Sequence, residues 1–367
     1  MMRVPFLDLT RQDRVLEKEL HRDLEKILER GKHILGQEVM AFEEEFSRLC
    51  GSAHGIAVAS GTDALLLSLK ALGAGEGDEV ITAALSAPPT AVAISLAGAK
   101  PVFADVDTAS LNIDPDSVEE RITPRTRFLV PVHLYGNLAD MPRLQKVASR
   151  HGLVIVEDCA QAHGASLDGR RAGSWGTAGC FSFYPTKNLG AYGDGGMVVT
   201  GDSFLAQRLR MLRDYGRRDR DILGEVGLNS RLDELQASFL RSKLGYLEAW
   251  NRRRRELSRR YLENLHDLPL GLPPWTGGEE HCFHLFVITC RERDALRAHL
   301  SARGVETAVH YPLPLHLQPP FRNAAAYPCP VAERVAREVL SLPLYPYLTE
   351  DEQDLVIDAV RDFFSAP

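Results

Sequence analysis

The sequence predicts an α/β protein: a mostly parallel sheet of seven strands covered by helices, followed by a smaller α+β unit at the C-terminal end. Three observations predict it. Short apolar runs alternate with helical segments from about residue 54 to residue 200, the order that builds parallel sheets. Most of these runs are unbroken rather than alternating, as expected for strands buried on both faces. Beyond residue 266 the pattern changes and proline becomes frequent.

Residues 13–31 read as a charged amphipathic helix. The strands fall at 54–59, 79–83, 101–105, 127–132, 153–157, 178–183 and 196–200, with helices between them near 62–73, 88–98, 114–121 and 140–150. A long helix is expected over 232–266, continuous or broken once. Then come a strand over 283–289, a helix over 294–303 ended by Gly304, and a strand over 305–310. Pro312, Pro314, Pro319, Pro320, Pro328 and Pro330 crowd the next stretch. The expected division is a large unit of residues 1–248, including the N-terminal segment, and a small unit of residues 249–367.

A chain of 367 residues can bury a large core. The net charge of −7 gives no basis for nucleic acid or anionic lipid as partners. No apolar run approaches the roughly 20 residues that span a bilayer, and the N-terminal stretch has no signal-peptide core. Cys50, Cys159, Cys180, Cys282, Cys290 and Cys329 form no CxxC pair and no zinc-ligand spacing with histidine. Reduced thiols in or near the core, no metal, and a cytoplasmic location are the expectation.

Four segments carry chemistry. Ser60-Gly61-Thr62-Asp63-Ala64 follows a strand and opens a helix, where free N–H groups and the helix dipole suit a phosphate; an ordinary helix start capped by Ser60 is the commoner meaning of such residues taken alone. In the second segment, Glu157 and Asp158 stand where a strand runs out, the edge at which open α/β sheets bind ligands. A carboxylate there can hold a cationic ring nitrogen, or merely cap the next turn. The two side chains point to opposite faces, so only one serves a site. In the third, Lys187 lies between the apolar run 180–184 and the glycines Gly193, Gly195 and Gly196. Burial lowers a lysine's pKa, and a neutral amine can form a Schiff base; a surface loop is the bland alternative. In the fourth, Asn229 or Ser230 can cap the long helix, with Asp233 and Glu234 in its first turn. The run 252–255, four arginines, reads as a solvated helix face.

These segments, in this order, resemble the sugar-nucleotide aminotransferases of the DegT/DnrJ/EryC1/StrS family, fold type I pyridoxal phosphate enzymes. The resemblance covers nearly the whole chain, from Val4-Pro5-Phe6-Leu7-Asp8-Leu9 through His133-Leu134-Tyr135-Gly136 to His310-Tyr311-Pro312-Leu313-Pro314 and Leu340-Ser341-Leu342-Pro343. The blocks 157–164 and 181–196 are its most specific parts. The resemblance implies pyridoxal 5′-phosphate joined to Lys187, with Asp158 at the pyridine nitrogen and Gln161 beside the ring hydroxyl. It implies phosphate contacts from Gly61, Thr62 and Ser182, and from Asn229 of the second subunit of a homodimer with shared sites. It places His163, Tyr184, Arg231, His310 and Tyr311 on the substrate side. One departure stands out: Ala87 occupies the position where many relatives stack an aromatic ring on the pyridine.

The resemblance also implies a ping-pong transaminase in which Lys187 serves as general acid and base. L-Glutamate is the expected donor, and a dTDP-linked 3-keto-6-deoxyhexose the expected acceptor. UDP-linked keto sugars and keto-inositols are the alternatives within the class. A non-catalytic, cofactor-binding regulatory protein on the same fold is the alternative outside it.

Overall fold

The computed structural model describes residues 3–324 and 327–365. The charged N-terminal stretch is helix α1 (Thr10–Arg30), closed by Gly31 in the left-handed conformation at φ 63°. Helix α2 (Gln37–Leu49) follows, an element the sequence pattern did not announce. The first sheet strands and helices then alternate: β1 (His54–Val58), α3 (Gly61–Ala71), β2 (Glu79–Ala83), α4 (Pro88–Leu96), β3 (Lys100–Ala104), α5 (Pro115–Glu120) and β4 (Thr126–Val130). Next come α6 (Met141–His151), β5 (Val154–Asp158), a small hairpin of β6 (Ser166–Leu167) and β7 (Arg170–Arg171), β8 (Ala178–Ser182), β9 (Gly196–Thr200) and α7 (Ser203–Leu212).

Seven of these strands form one sheet in the order β1-β9-β8-β5-β4-β2-β3. Only β9 runs antiparallel to its neighbours. Successive residues of a strand enter different cores, as a period of two requires. Phe128, Val156 and Val198 join α3, α4 and α7 on one face, while Leu129 and Ile155 join α5 and α6 on the other. Phe181 and Met197 meet Phe42 and Phe46 of α2. The parallel arrangement brings the carboxyl ends of β1, β2, β4, β5 and β8, and the start of β9, to one edge.

The helix expected over 232–266 is broken at Gly245–Tyr246 into α8 (Glu234–Leu244) and α9 (Leu247–Leu265). Glu234, at the start of α8, accepts hydrogen bonds from the amides of Gly36 (2.8 Å), Glu38 (3.0 Å) and Val39 (2.9 Å). The N-terminal amides of α2 are thus capped by a residue about 200 positions away in sequence.

The C-terminal part contains β10 (Phe286–Thr289), α10 (Arg293–Ala302), α11 (Pro330–Glu338), β11 (Val339–Leu342) and α12 (Glu350–Ser365). Strand β10 starts later than expected, because Phe283 takes a positive φ of 48° and interrupts the extended chain. The stretch 305–310 is not a strand: it makes only isolated bridges, Val305 to Val4 and Ala308 to Ser341. Val4 packs in the same core as Leu257, Phe286, Ile288, Leu340 and Val356. All six cysteines are buried free thiols. Among the described residues no helix is long and apolar enough to cross a membrane.

Candidate active site

The edge formed by the strand ends holds a cavity of about 250 Å³. On one side α3 begins. Ser60 Oγ accepts from the amide of Asp63 at 3.1 Å, so the expected cap exists. The start of α3 also lies directly on the sheet. A Cβ at Gly61 would stand 2.6 Å from Cβ of Ser182, and one at Gly196 would stand 2.2 Å from the carbonyl oxygen of Ser60. Only glycine lets these backbones approach so closely. Ser60, Gly61, Thr62 and Ser182 therefore line one end of the cavity together.

Asp158 ends β5 and is 4% exposed. Thr90 Oγ1 donates to its Oδ2 at 2.7 Å, and the amide of Ala160 donates to its Oδ1 at 3.1 Å. Burial pushes its carboxyl pKa up, against these two bonds and the charge of Lys187. Lys187 lines the same cavity; burial lowers its pKa to about 8, with Asp158 pulling the other way. The neighbouring Glu157 is fully buried on the opposite face. It accepts from His133 Nε2 (3.0 Å) and the amides of Gly173 (2.9 Å), Trp175 (2.7 Å) and Gly176 (2.7 Å), so it anchors a turn.

The other expected residues divide. Gln161 lines the cavity, accepts from the amide of Tyr135 at 2.6 Å and donates to Tyr311 Oη at 3.0 Å. Tyr184 stands half exposed on the cavity wall. His310 lines an adjoining cavity, and its Nδ1 pairs with Ser341 Oγ at 2.8 Å. His163 does not reach either cavity. Its ring lies among Phe46, Phe181 and Phe183, at 5.4 Å from Phe181, and neither nitrogen has a partner among the described residues. Burial, and then Lys187, lower its pKa to about 3. Arg231 is likewise turned away: it pairs with Asp214 at 2.8 Å and lies over the Tyr215 ring. Asn229 is exposed and bridges to Asp214. Neither Asn229 nor Ser230 caps α8, whose N-cap is Asp233. Ser230 Oγ instead donates to Asp63 at 2.7 Å and accepts from the amide of Ala59 at 3.1 Å, which ties its segment to the start of α3.

Ala87 caps α4 without a side-chain bond and lines the cavity with Ser86 and Pro89, so that stretch brings no aromatic ring. Thr90 was not anticipated as a site residue; it lies three positions beyond Ala87 in the same stretch. Tyr135, to which the sequence assigned no role, also donates from its hydroxyl to the carbonyl of His310.

Residues 14–361 match the model of the DegT/DnrJ/EryC1/StrS aminotransferase family. The chain belongs to this family. It is 48% identical over 364 residues to a dTDP-3-amino-3,4,6-trideoxy-α-D-glucose transaminase of Streptomyces venezuelae, covering 98% of this chain and 96% of that one. The crystal structure of S. venezuelae DesV in complex with a ketimine intermediate superposes with a TM-score of 0.97 at 48% identity, covering both chains fully. NtdA from Bacillus subtilis, solved with bound cofactor PMP, superposes with a TM-score of 0.92 at 33% identity, covering all of this chain and 86% of that one.

This member of the family is a fold type I, pyridoxal 5′-phosphate-dependent aminotransferase. Its cavity fits the cofactor by chemistry. A buried carboxylate suits the cationic pyridine nitrogen, a low-pKa amine suits the aldehyde, and the amide-rich start of α3 suits the phosphate.

Proposed function

We propose that this aminotransferase moves the amino group of L-glutamate onto the 3-keto carbon of a dTDP-linked 6-deoxyhexose. The observation that carries the proposal is Lys187 and Asp158 in one cavity of a chain 48% identical, end to end, to a dTDP-sugar transaminase. When bound, the cofactor supplies an electron sink that stabilises negative charge at the reacting carbon. Asp158 holds the proton on the ring nitrogen, and Thr90 and the Ala160 amide hold Asp158 in place. The α3 amides, Gly61, Thr62 and Ser182, which line one end of the cavity, would take the phosphate, and Gln161 would stand beside the ring hydroxyl. Lys187 Nζ, neutral in part because burial lowers its pKa to about 8, would accept and return the proton that amino transfer moves. Gln161 holds the Tyr311 hydroxyl beside the cofactor cavity, where Tyr311 and Tyr184 would face the sugar, while Tyr135 fixes the main chain at His310, whose ring lines the adjoining cavity.

The nucleotide supplies binding energy remote from the reacting carbon. Compared as free sugar, 1-phosphate and nucleotide diphosphate conjugate, one keto sugar should gain at least about 100-fold in kcat/KM with the nucleotide attached. Equal efficiency on all three rejects nucleotide-sugar specificity and favours a free keto sugar or keto-inositol. The same assay with dTDP and UDP conjugates decides the nucleotide.

Two further parts of the proposal concern assembly. The exposed position of Asn229, beside a segment stitched to the start of α3, supports a homodimer in which Asn229 of the partner subunit reaches the phosphate. Mixing inactive Lys187→Ala and Asn229→Ala proteins should then restore activity. A hybrid dimer carries both lesions in one site and none in the other, so random re-association yields about a quarter of wild-type activity. An active, stable monomer refutes the shared site. Six buried free thiols support a cytoplasmic enzyme, and the break before α9 at Leu247 supports a division into a large unit of residues 1–248 and a small unit of residues 249–367.

A further inference from the structure

Of the four arginines at 252–255, expected on a solvated face, Arg254 points inward and is 4% exposed. Its Nη1 donates to the carbonyls of Leu344 (3.0 Å), His284 (3.2 Å) and Phe283 (3.3 Å). That leaves the edge formed by Nε and Nη2 unpaired: Nε is buried without a partner, and among the described residues no carboxylate forms an ion pair with the guanidinium. A buried cation without a counter-ion is costly, and burial lowers this one to about 10.

Arg254 lines a cavity of about 340 Å³ together with Thr186, the residue before Lys187, and with His284 and His310. Burial holds both histidines neutral, and the charge of Lys187 reinforces it. His284 Nδ1 pairs with Asn188 Oδ1 at 3.2 Å, so the cavity is bordered by Thr186, on one side of Lys187 in the chain, and by the partner of Asn188, on the other. Phe6, Leu7, Leu285 and Leu344 make the rest of the wall apolar. The one acid of this cavity, Glu306, is occupied by Arg3 at 2.5 Å and by the amide of Phe6 at 3.3 Å.

We propose that this second cavity is the amino-donor subsite, and that the free Nε–Nη2 edge of Arg254 binds a carboxylate of the donor acid. The proposal rests on the transaminase function given above. Two parallel N–H groups match the two oxygens of a carboxylate. A sugar diphosphate, with its larger charge, is poorly served by one arginine in an apolar pocket. The donor acid and the sugar would thus use different polar groups beside one lysine.

The test separates the two half-reactions. In Arg254→Gln, KM for L-glutamate should rise at least about 30-fold, the loss expected for a charge-assisted pair. The reverse half-reaction from the nucleotide-linked amino sugar should change less than about threefold, because it does not use this edge. Arg254→Lys keeps the charge without the fork and should fall between. Binding gives a readout independent of turnover: glutarate should bind the wild-type protein in titration calorimetry, pentanamide should not, and Arg254→Gln should lose glutarate. Equal losses in both half-reactions, or no glutarate binding to the wild type, overturn the proposal. Should the variants not fold, the wild-type contrast of glutarate with pentanamide still decides it. A wild-type protein that runs neither half-reaction overturns the transaminase function instead, with glutarate binding still readable.

Discussion

Lys187→Ala loses amino transfer by at least about 10⁴-fold while still binding pyridoxal phosphate noncovalently, because proton transfer and covalent attachment depend on the same amine. Borohydride reduction of the wild-type holoenzyme should label Lys187. The sharp control is Lys243, the other lysine whose pKa burial lowers to about 8. Its ammonium donates to the carbonyl of Gly190 at 2.9 Å and sits over the Tyr192 ring, away from the Lys187 cavity. A label on Lys243 overturns the assignment. The same shift fixes a pH dependence. Attachment needs the neutral amine, and lowering the pKa from 10.5 to about 8 raises its share at pH 7 to roughly one molecule in ten. The rate at which apoprotein becomes covalently loaded should rise with pH up to about 8 and level off above it.

Asp158→Asn keeps the shape and the Thr90 contact but removes the charge that holds the ring proton. Turnover should fall at least about 100-fold, or about 3 kcal/mol of electrostatic stabilisation. Burial already works against the charge on Asp158, and Thr90, the Ala160 amide and Lys187 oppose that push. Thr90→Val should therefore raise the carboxyl pKa further and lose part of the same activity. Near-normal turnover in Asp158→Asn would mean that another group protonates the ring.

The strands were legible because most are unbroken apolar runs ended by a turn, Asp158 because it stands where such a run gives out, and Lys187 because it lies between an apolar run and a glycine-rich turn. Helix α2 was not, since its N-cap is Gly36, without a side chain, and its capping acid is Glu234. No local pattern records a cap supplied from so far away. The stretch 305–310 has strand-like composition but meets a partner at single residues only. His163 came from the resemblance alone, and the aromatic rings around it were not visible in one dimension. Arg254 did leave a signal. Leu247, Trp250, Leu257, Tyr261 and Leu265 fix the inward face of α9, and Arg254 falls on it at helical spacing. Read as a charge run, the segment looked solvated; read by phase, one of its four arginines had to be inside.

The contacts at Gly61 and Gly196 give their end of the cavity an unusual kind of durability. At Gly196 main chain rests on main chain, and at Gly61 it rests on the Cβ of Ser182, so the cradle is shaped by missing atoms and by positions that no rotamer change moves. Side-chain packing elsewhere can loosen on heating without blurring it, because only parting β8, β9 and the start of α3 can open the gap. The same economy makes the cradle brittle to inheritance: neighbouring side chains can drift, but one added methyl at either glycine pushes a helix off a sheet.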